Sequence, residues 1–159
     1  MSEIAYVGIG TNIEPRRNRM DAAIKALNEL GKLLRVSSIY ESEPYGVEEQ
    51  PRFLNAVAAI TTDLTARQLY TALKDLEISL GRQSRQRWHE REIDFDILFF
   101  GNTTVDEKDL IIPHADLIHR SFVLIPLAEI APNIVHPVLR KTVKELSVPF
   151  LGADTLRII

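Results

Sequence analysis

Residues 91–100 read REIDFDILFF, an apolar run that carries two aspartates two positions apart. Alternating branched and aromatic residues favour a β-strand, whose successive side chains point to opposite faces. Asp94 and Asp96 therefore share a face, with Glu92 behind them, while Ile93, Phe95, Ile97 and Phe99 take the face that suits a core. Two carboxylates held roughly 6 to 7 Å apart on a stiff strand repel one another, so a cation belongs between or above them. A strand of this kind must divide a core from a charged site.

The rest of the composition narrows what that site can meet. With 159 residues and 45% hydrophobic content, the chain has enough apolar surface for one compact domain spanning residues 1–159. A formal net charge of −3 gives no global attraction to nucleic acid or anionic lipid, so any affinity for phosphate must be local. There is no cysteine, which excludes disulfides, thiolate metal sites and a cysteine nucleophile, and fits a reducing cytoplasm. The N-terminus enters strand-like sequence directly, and no apolar run approaches membrane-spanning length. These features predict a cytoplasmic protein that is neither secreted nor membrane-embedded.

Residues 3–10 read as a strand, and 11–15 as a turn into a helix that runs to about residue 30. Met20, Ala23, Ile24, Leu27 and Leu30 recur at helical spacing between Pro15 and Gly31. Residues 33–42 and 53–62 are strand-like and flank the polar stretch ESEPYGVEEQPR. Thr65 and Gln68 make a capping-box pattern ahead of Leu69, Leu73, Leu76 and Leu80, and Gly81 ends the helix. GRQSRQRWHERE then leads into the aspartate strand. After Gly101 comes a less regular tail with a helical stretch at 121–130. The order predicts an α+β fold, a ferredoxin-like βαββαβ sandwich with a mostly helical C-terminal extension. The two polar connections, 41–52 and 81–92, are of a length that is usually functional or disordered.

Arg82, Arg85, Arg87 and Arg91, with Trp88 and His89, stand immediately before the aspartates. Guanidinium groups pair with phosphate oxygens while carboxylates hold magnesium, so together they suit a metal-bound polyphosphate. A solvated loop whose arginines simply pair with the acids is the plainer alternative. A two-metal phosphodiesterase would use the same acids but normally needs a wider basic surface. GIGTN at 8–12 lacks the third glycine and the G-K-[ST] of nucleotide loops and reads as a tight turn close to something else. Phe53 and Asn55 share a strand face and would stack on and hydrogen-bond a flat heterocycle, or else belong to core and strand end. His114 and Arg120 offer further phosphate donors, whereas the spacing of His114 and His119 does not suit zinc.

Taken together, GIGTN, SEPYG, QPRFLNAV, LEISLGR, RWHEREIDFDILFFG and IPHADLIHRSFVLIPLAEIAPNIVHP make the chain resemble the 6-hydroxymethyl-7,8-dihydropterin pyrophosphokinase family over nearly its whole length. The resemblance implies a ferredoxin-like fold and transfer of pyrophosphate from ATP, the co-substrate, to the pterin hydroxymethyl group in folate biosynthesis, with release of AMP. It implies that Asp94 and Asp96 bind two Mg2+ ions and that Arg82 and Arg91 act on the phosphates. Glu77, Arg87, Trp88, Ile97, His114 and Arg120 fall at ATP-binding positions. Ser42, Pro44, Tyr45, Phe53, Asn55 and Phe122 fall around the pterin. The chain departs from the family pattern at His89, Phe95, Asp109 and Ala115. The expected partners are these two small molecules alone, with no nucleic acid and no membrane, and the enzyme is expected to be a monomer. A catalytically silent pterin- or nucleotide-binding module is the alternative from another class.

Overall fold

The apolar stretch FLNAVAAITT forms β4 (Phe53–Thr62), and its small and branched side chains suit a strand covered on both faces. The structure, a computed structural model, describes residues 2–43, 49–83, 90–152 and 156–159. β1 (Glu3–Thr11) pairs antiparallel with β4 from Glu3 opposite Thr62 to Thr11 opposite Leu54. On the outer side of β1 runs β5 (Asp94–Phe100), also antiparallel. The other edge of β4 takes β2 (Lys32–Val36) and β3 (Tyr40–Ser42), and β8 (Leu156–Ile158) pairs with β3. The sheet order is β5-β1-β4-β3-β8, with β2 also on β4.

Helices cover both faces. α1 (Arg16–Ala26) and α2 (Ala66–Ser79) bury Met20, Ala23, Leu69 and Leu73 against Ala5, Val7, Ala58 and Ile60. α3 (Ser121–Ile130), backed by α4 (Val143–Ser147), buries Leu124 and Leu127 against Val57, Ala59, Leu98 and Phe99. The alternation along β4 thus feeds two cores. The capping box forms as the sequence predicts: the Gln68 N–H donates to Thr65 Oγ1 at 3.1 Å, and the Thr65 N–H donates to Gln68 Oε1 at 2.9 Å. Gly81 closes α2 at φ +98°, a conformation that favours glycine. Among the described residues no helix is long and apolar enough to cross a membrane.

Four expectations need correction. The strand expected over 33–42 is two strands, because Ser37 breaks the run: its N–H donates to Val57 O and its Oγ accepts the Val57 N–H, both at 2.9 Å. The helix expected to about residue 30 ends at Ala26 and continues as a 3-10 turn, Leu27–Glu29. The C-terminal extension is not mostly helical, since it includes a hairpin, β6 (Val105–Asp106) with β7 (Ile111–Ile112), and contributes β8 to the main sheet. Phe99 lies on the opposite face from Ile93, Phe95 and Ile97. A register shift leaves Val7 opposite Ile97 and Tyr6 opposite Phe99, so Leu98 is the extra residue of a bulge and the alternation reverses there.

Candidate active site

On the α3 side of the sheet lies a cleft of about 270 Å³ whose floor is β1. Register decides what stands around that floor. Gly10 is flanked by Asp94 on β5 and Asn55 on β4, and Gly8 by Asp96 and Val57. The acid pair and the amide are therefore two strands apart, about 10 Å, with no side chain between them. GIGT is accordingly not the expected turn: it lies inside β1, and its two glycines leave the strand bare. A Cβ on Gly10 would sit 3.7 Å from Asn55 Oδ1 and 3.8 Å from a Phe53 ring carbon, so anything longer would project into the cleft.

The acidic wall is held from behind. Glu77, on α2, is 2% exposed. Its Oε1 accepts from Arg82 Nη1 at 2.6 Å, and its Oε2 accepts from Lys74 Nζ at 3.1 Å and from the Phe95 N–H at 2.7 Å. Arg82 Nη1 reaches Asp94 Oδ1 at 2.9 Å, and Lys74 Nζ also donates to Phe95 O at 3.0 Å. The backbone between the two aspartates is thereby fixed to α2. Burial raises the Glu77 carboxyl above its ordinary pKa; Lys74 opposes this and Asp94 adds to it. Burial also raises the Asp96 carboxyl, reinforced by Asp94 and opposed by His114, Lys74 and Arg120.

His114 Nε2 stands 3.8 Å from Asp96 Oδ1. Its Nδ1 accepts the Asp116 N–H at 3.2 Å, which leaves the ring proton on Nε2, facing the acid. Arg120 pairs with Asp116 at 3.2 Å and lies over the Phe122 ring at 5.8 Å. On the far wall Asn55 Nδ2 donates to Ser42 Oγ at 2.7 Å, which turns Oδ1 toward Gly10 and the cleft. Phe53, Phe122, Arg91 and Glu43 also line the space.

The cleft thus gathers Arg91, Asp94, Asp96, His114, Arg120, Ser42, Phe53, Asn55 and Phe122. Arg82, Glu77 and Ile97 do not line it, Arg82 being held on Glu77 and Asp94. Glu77 sits behind β5, and the Ile97 side chain packs in the core under α1 and α2, on the face opposite the aspartates. Pro44, Tyr45, Arg85, Arg87, Trp88 and His89 lie outside the described residues. Sequence reasoning missed Lys74 and Asp116, although Lys74 precedes Glu77 by one helical turn, a spacing at which opposite charges meet. Among the described residues no group of three or more His, Cys, Asp or Glu side chains is placed to hold a metal ion. Two neighbouring oxygen donors, one of them raised first by burial and then by the other's charge, nevertheless fit Mg2+, which fills its shell with water and phosphate oxygens and offsets both effects.

The family model for 7,8-dihydro-6-hydroxymethylpterin-pyrophosphokinase (HPPK) matches residues 6–132. The chain belongs to this family. It is 41% identical over 135 residues to the 2-amino-4-hydroxy-6-hydroxymethyldihydropteridine pyrophosphokinase of Haemophilus influenzae, covering 84% of each chain. The enzyme of the same name from Pseudomonas aeruginosa is 39% identical over 159 residues, 98% of each. Among solved structures, a Plasmodium falciparum HPPK-DHPS with pteroate superimposes with a TM-score of 0.84 at 16% identity, a likeness of fold alone. All of this chain and 48% of that one are covered, so this chain spans about half of the HPPK-DHPS protein. The residues matched by the family run from β1 into the segment after α3 and include every described wall of the cleft.

Proposed function

We propose that the protein transfers the pyrophosphoryl group of ATP to the hydroxymethyl group of 6-hydroxymethyl-7,8-dihydropterin, yielding AMP and the pterin diphosphate in folate biosynthesis. The observation that carries this reading is the pairing, on one sheet face, of an acid wall with an aromatic and amide wall across two bare glycines. A flat heterocycle fits one side and a polyphosphate the other.

In this reading the pterin lies between Phe53 and Phe122, and Asn55 Oδ1, fixed by Ser42, accepts from its polar edge. Pro44 and Tyr45 are assigned to the same edge. Its hydroxymethyl oxygen then points across β1 toward Asp94 and Asp96. That oxygen attacks the β-phosphorus, the bond from the β-phosphorus to the α–β bridging oxygen breaks, and AMP leaves with that oxygen; the substrate proton passes to solvent or phosphate. Two Mg2+ ions held by Asp94 and Asp96 would neutralise triphosphate charge and align the reacting oxygens, so the protein mainly positions its substrates. Arg82 and Arg91 are assigned to phosphate charge that develops during transfer, and His114 and Arg120, with Arg87 and Trp88, to binding ATP. Glu77 we assign to positioning, because both of its oxygens are engaged by Lys74, Arg82 and Phe95. An Ile97 contact with the nucleotide would come from backbone: Phe95 turns its N–H and C=O away from β1, and strand alternation turns those of Ile97 the same way.

The order β5-β1-β4 followed by β2 and β3, with α1 and α2 on one face, supports a ferredoxin-like βαββαβ unit. We further read residues 1–159 as one domain acting as a monomer, which sedimentation would test. The activity is tested by mixing the protein with ATP, Mg2+ and the hydroxymethyldihydropterin and separating nucleotides by ion exchange. AMP formed only with pterin, and in equal amount to pterin diphosphate, is expected. ADP as product, or no turnover, overturns the assignment.

A further inference from the structure

Asn12 follows the last residue of β1 and is fully buried, although its side chain is polar. Every arm of its amide is engaged, and the arms reach two distant stretches of chain. Nδ2 donates to Gln50 Oε1 at 2.8 Å and to Pro51 O at 3.0 Å. Oδ1 accepts the Arg91 N–H at 2.8 Å, and the Asn12 N–H donates to Arg91 O at 3.1 Å. Thr11 strengthens the second attachment through Oγ1, which donates to Glu92 O at 2.6 Å. The first stretch runs straight into Phe53 at the start of β4. The second carries Arg91 and runs into Asp94 at the start of β5.

Neither stretch is a strand at these positions, so no ladder fixes them; the amide ties both to the end of β1, beside Thr11 on the second and Arg16, whose Nη1 donates to Arg52 O at 3.1 Å, on the first. It needs both a double donor and an acceptor, and at this size only asparagine supplies them. Loss of either arm leaves a buried polar group without its partner, at a cost above that of one exposed hydrogen bond.

We propose that Asn12 is the positioning residue that sets the aromatic wall and the arginine–carboxylate wall in register with each other, its nitrogen arm governing the pterin side and its oxygen arm the phosphate side. This rests on the pterin pyrophosphokinase reading of the cleft. A residue that merely stabilised the fold would lower the melting temperature and leave the kinetics of the folded enzyme alone. A positioning residue splits the kinetic constants by arm.

The test compares wild type with Asn12→Asp, Asn12→Ala and Gln50→Ala by steady-state kinetics in saturating Mg2+. Asn12→Asp keeps an acceptor for the Arg91 N–H but loses the donors to Gln50 and Pro51. It should raise the pterin KM about tenfold while the ATP KM changes by less than about twofold. Asn12→Ala loses both side-chain arms and should also lower kcat by about 100-fold, the scale of a misplacement of about 1 Å. Gln50→Ala guards against a buried aspartate that prevents folding: it removes one acceptor from an outer loop and should raise the pterin KM several-fold with kcat unchanged. Pterin affinity by calorimetry, in the presence of a non-hydrolysable ATP analogue, is measured alongside. If wild type releases no AMP, the reaction assignment fails, while weaker calorimetric binding by Gln50→Ala still supports the role of Asn12. A pterin KM and affinity unchanged in Gln50→Ala and Asn12→Ala, or equal rises in both KM values in the single-arm variants Asn12→Asp and Gln50→Ala, overturn the inference.

Discussion

Asp96 shows how much a single position carries. It is the carboxylate whose proton affinity is raised by burial and by its neighbour, and it stands across a bare strand from the wall that carries Phe53 and Asn55. Asp96→Ala should therefore lose kcat by about 100-fold or more, at least the upper end of what removing a mere outer-shell partner of a metal ligand costs, with pterin affinity held by Phe53, Phe122 and Asn55 nearly intact. A variant of normal turnover removes the metal assignment. Phe122→Ala should do the reverse, weakening pterin binding by roughly 1 to 3 kcal/mol in calorimetry, and an unchanged affinity takes Phe122 out of the site. Gly10→Val tests the floor. Its branched side chain suits a strand, so thermal stability should hold, while the pterin KM rises at least about tenfold because the new methyls occupy the ligand's plane. The acid pair was legible in the sequence because strand alternation alone places it. Lys74 and Asn12 were not, because their importance lies in partners that only the folded chain supplies: Phe95 for one, Gln50 and Arg91 for the other.

Among elements, those with complete local instructions were read correctly. β4 is a ten-residue apolar run bounded by polar segments, and α2 announces both ends, by Thr65 with Gln68 and by Gly81. The failures have a common cause in pairing. Leu98 bulges and reverses Phe99 only because β5 lies against β1, and β8 becomes a strand only because β3 offers an open edge. The connection from α3 to α4 supplies a pH-dependent element. His136 Nδ1 accepts the N–H groups of Val138 and Leu139 at 3.2 and 3.1 Å, and the ring packs edge-on against Phe99 at 5.8 Å. Burial lowers the imidazole below its ordinary pKa. As pH falls through about 6.5 the unfolded chain binds a proton that the folded chain refuses, so this contribution to stability is present above that pH and declines below it until the folded group also titrates. Glu77 and Asp96, raised by burial, act in the opposite sense. The measurement is therefore a difference: urea stability of wild type minus His136→Gln should shrink from pH 7.5 toward pH 5, about 7 to 5 being the window of histidine titration. A difference independent of pH would show that the ring's protonation is not linked to folding.

At the scale of the molecule one sheet serves two cores, with Ala56, Ala58 and Ile60 facing α1 and α2 while Val57 and Ala59 face α3. Neither helix layer can be loosened without exposing strands that the other covers. Leu69→Ala and Leu124→Ala remove fully buried side chains from opposite cores. Each should cost about 2 to 5 kcal/mol, and each should leave a single unfolding transition in which near- and far-UV circular dichroism coincide. Separate transitions in either variant would mean that the layers unfold independently. The glycine floor of the cleft has a last consequence, for drug resistance. Its depth is set by main-chain atoms that no codon change removes, and substitution at Gly8 or Gly10 can only make the slot shallower. An inhibitor that lies flat on β1 and fills no more volume than the natural substrate could be expelled there only by a mutation that also expels the substrate.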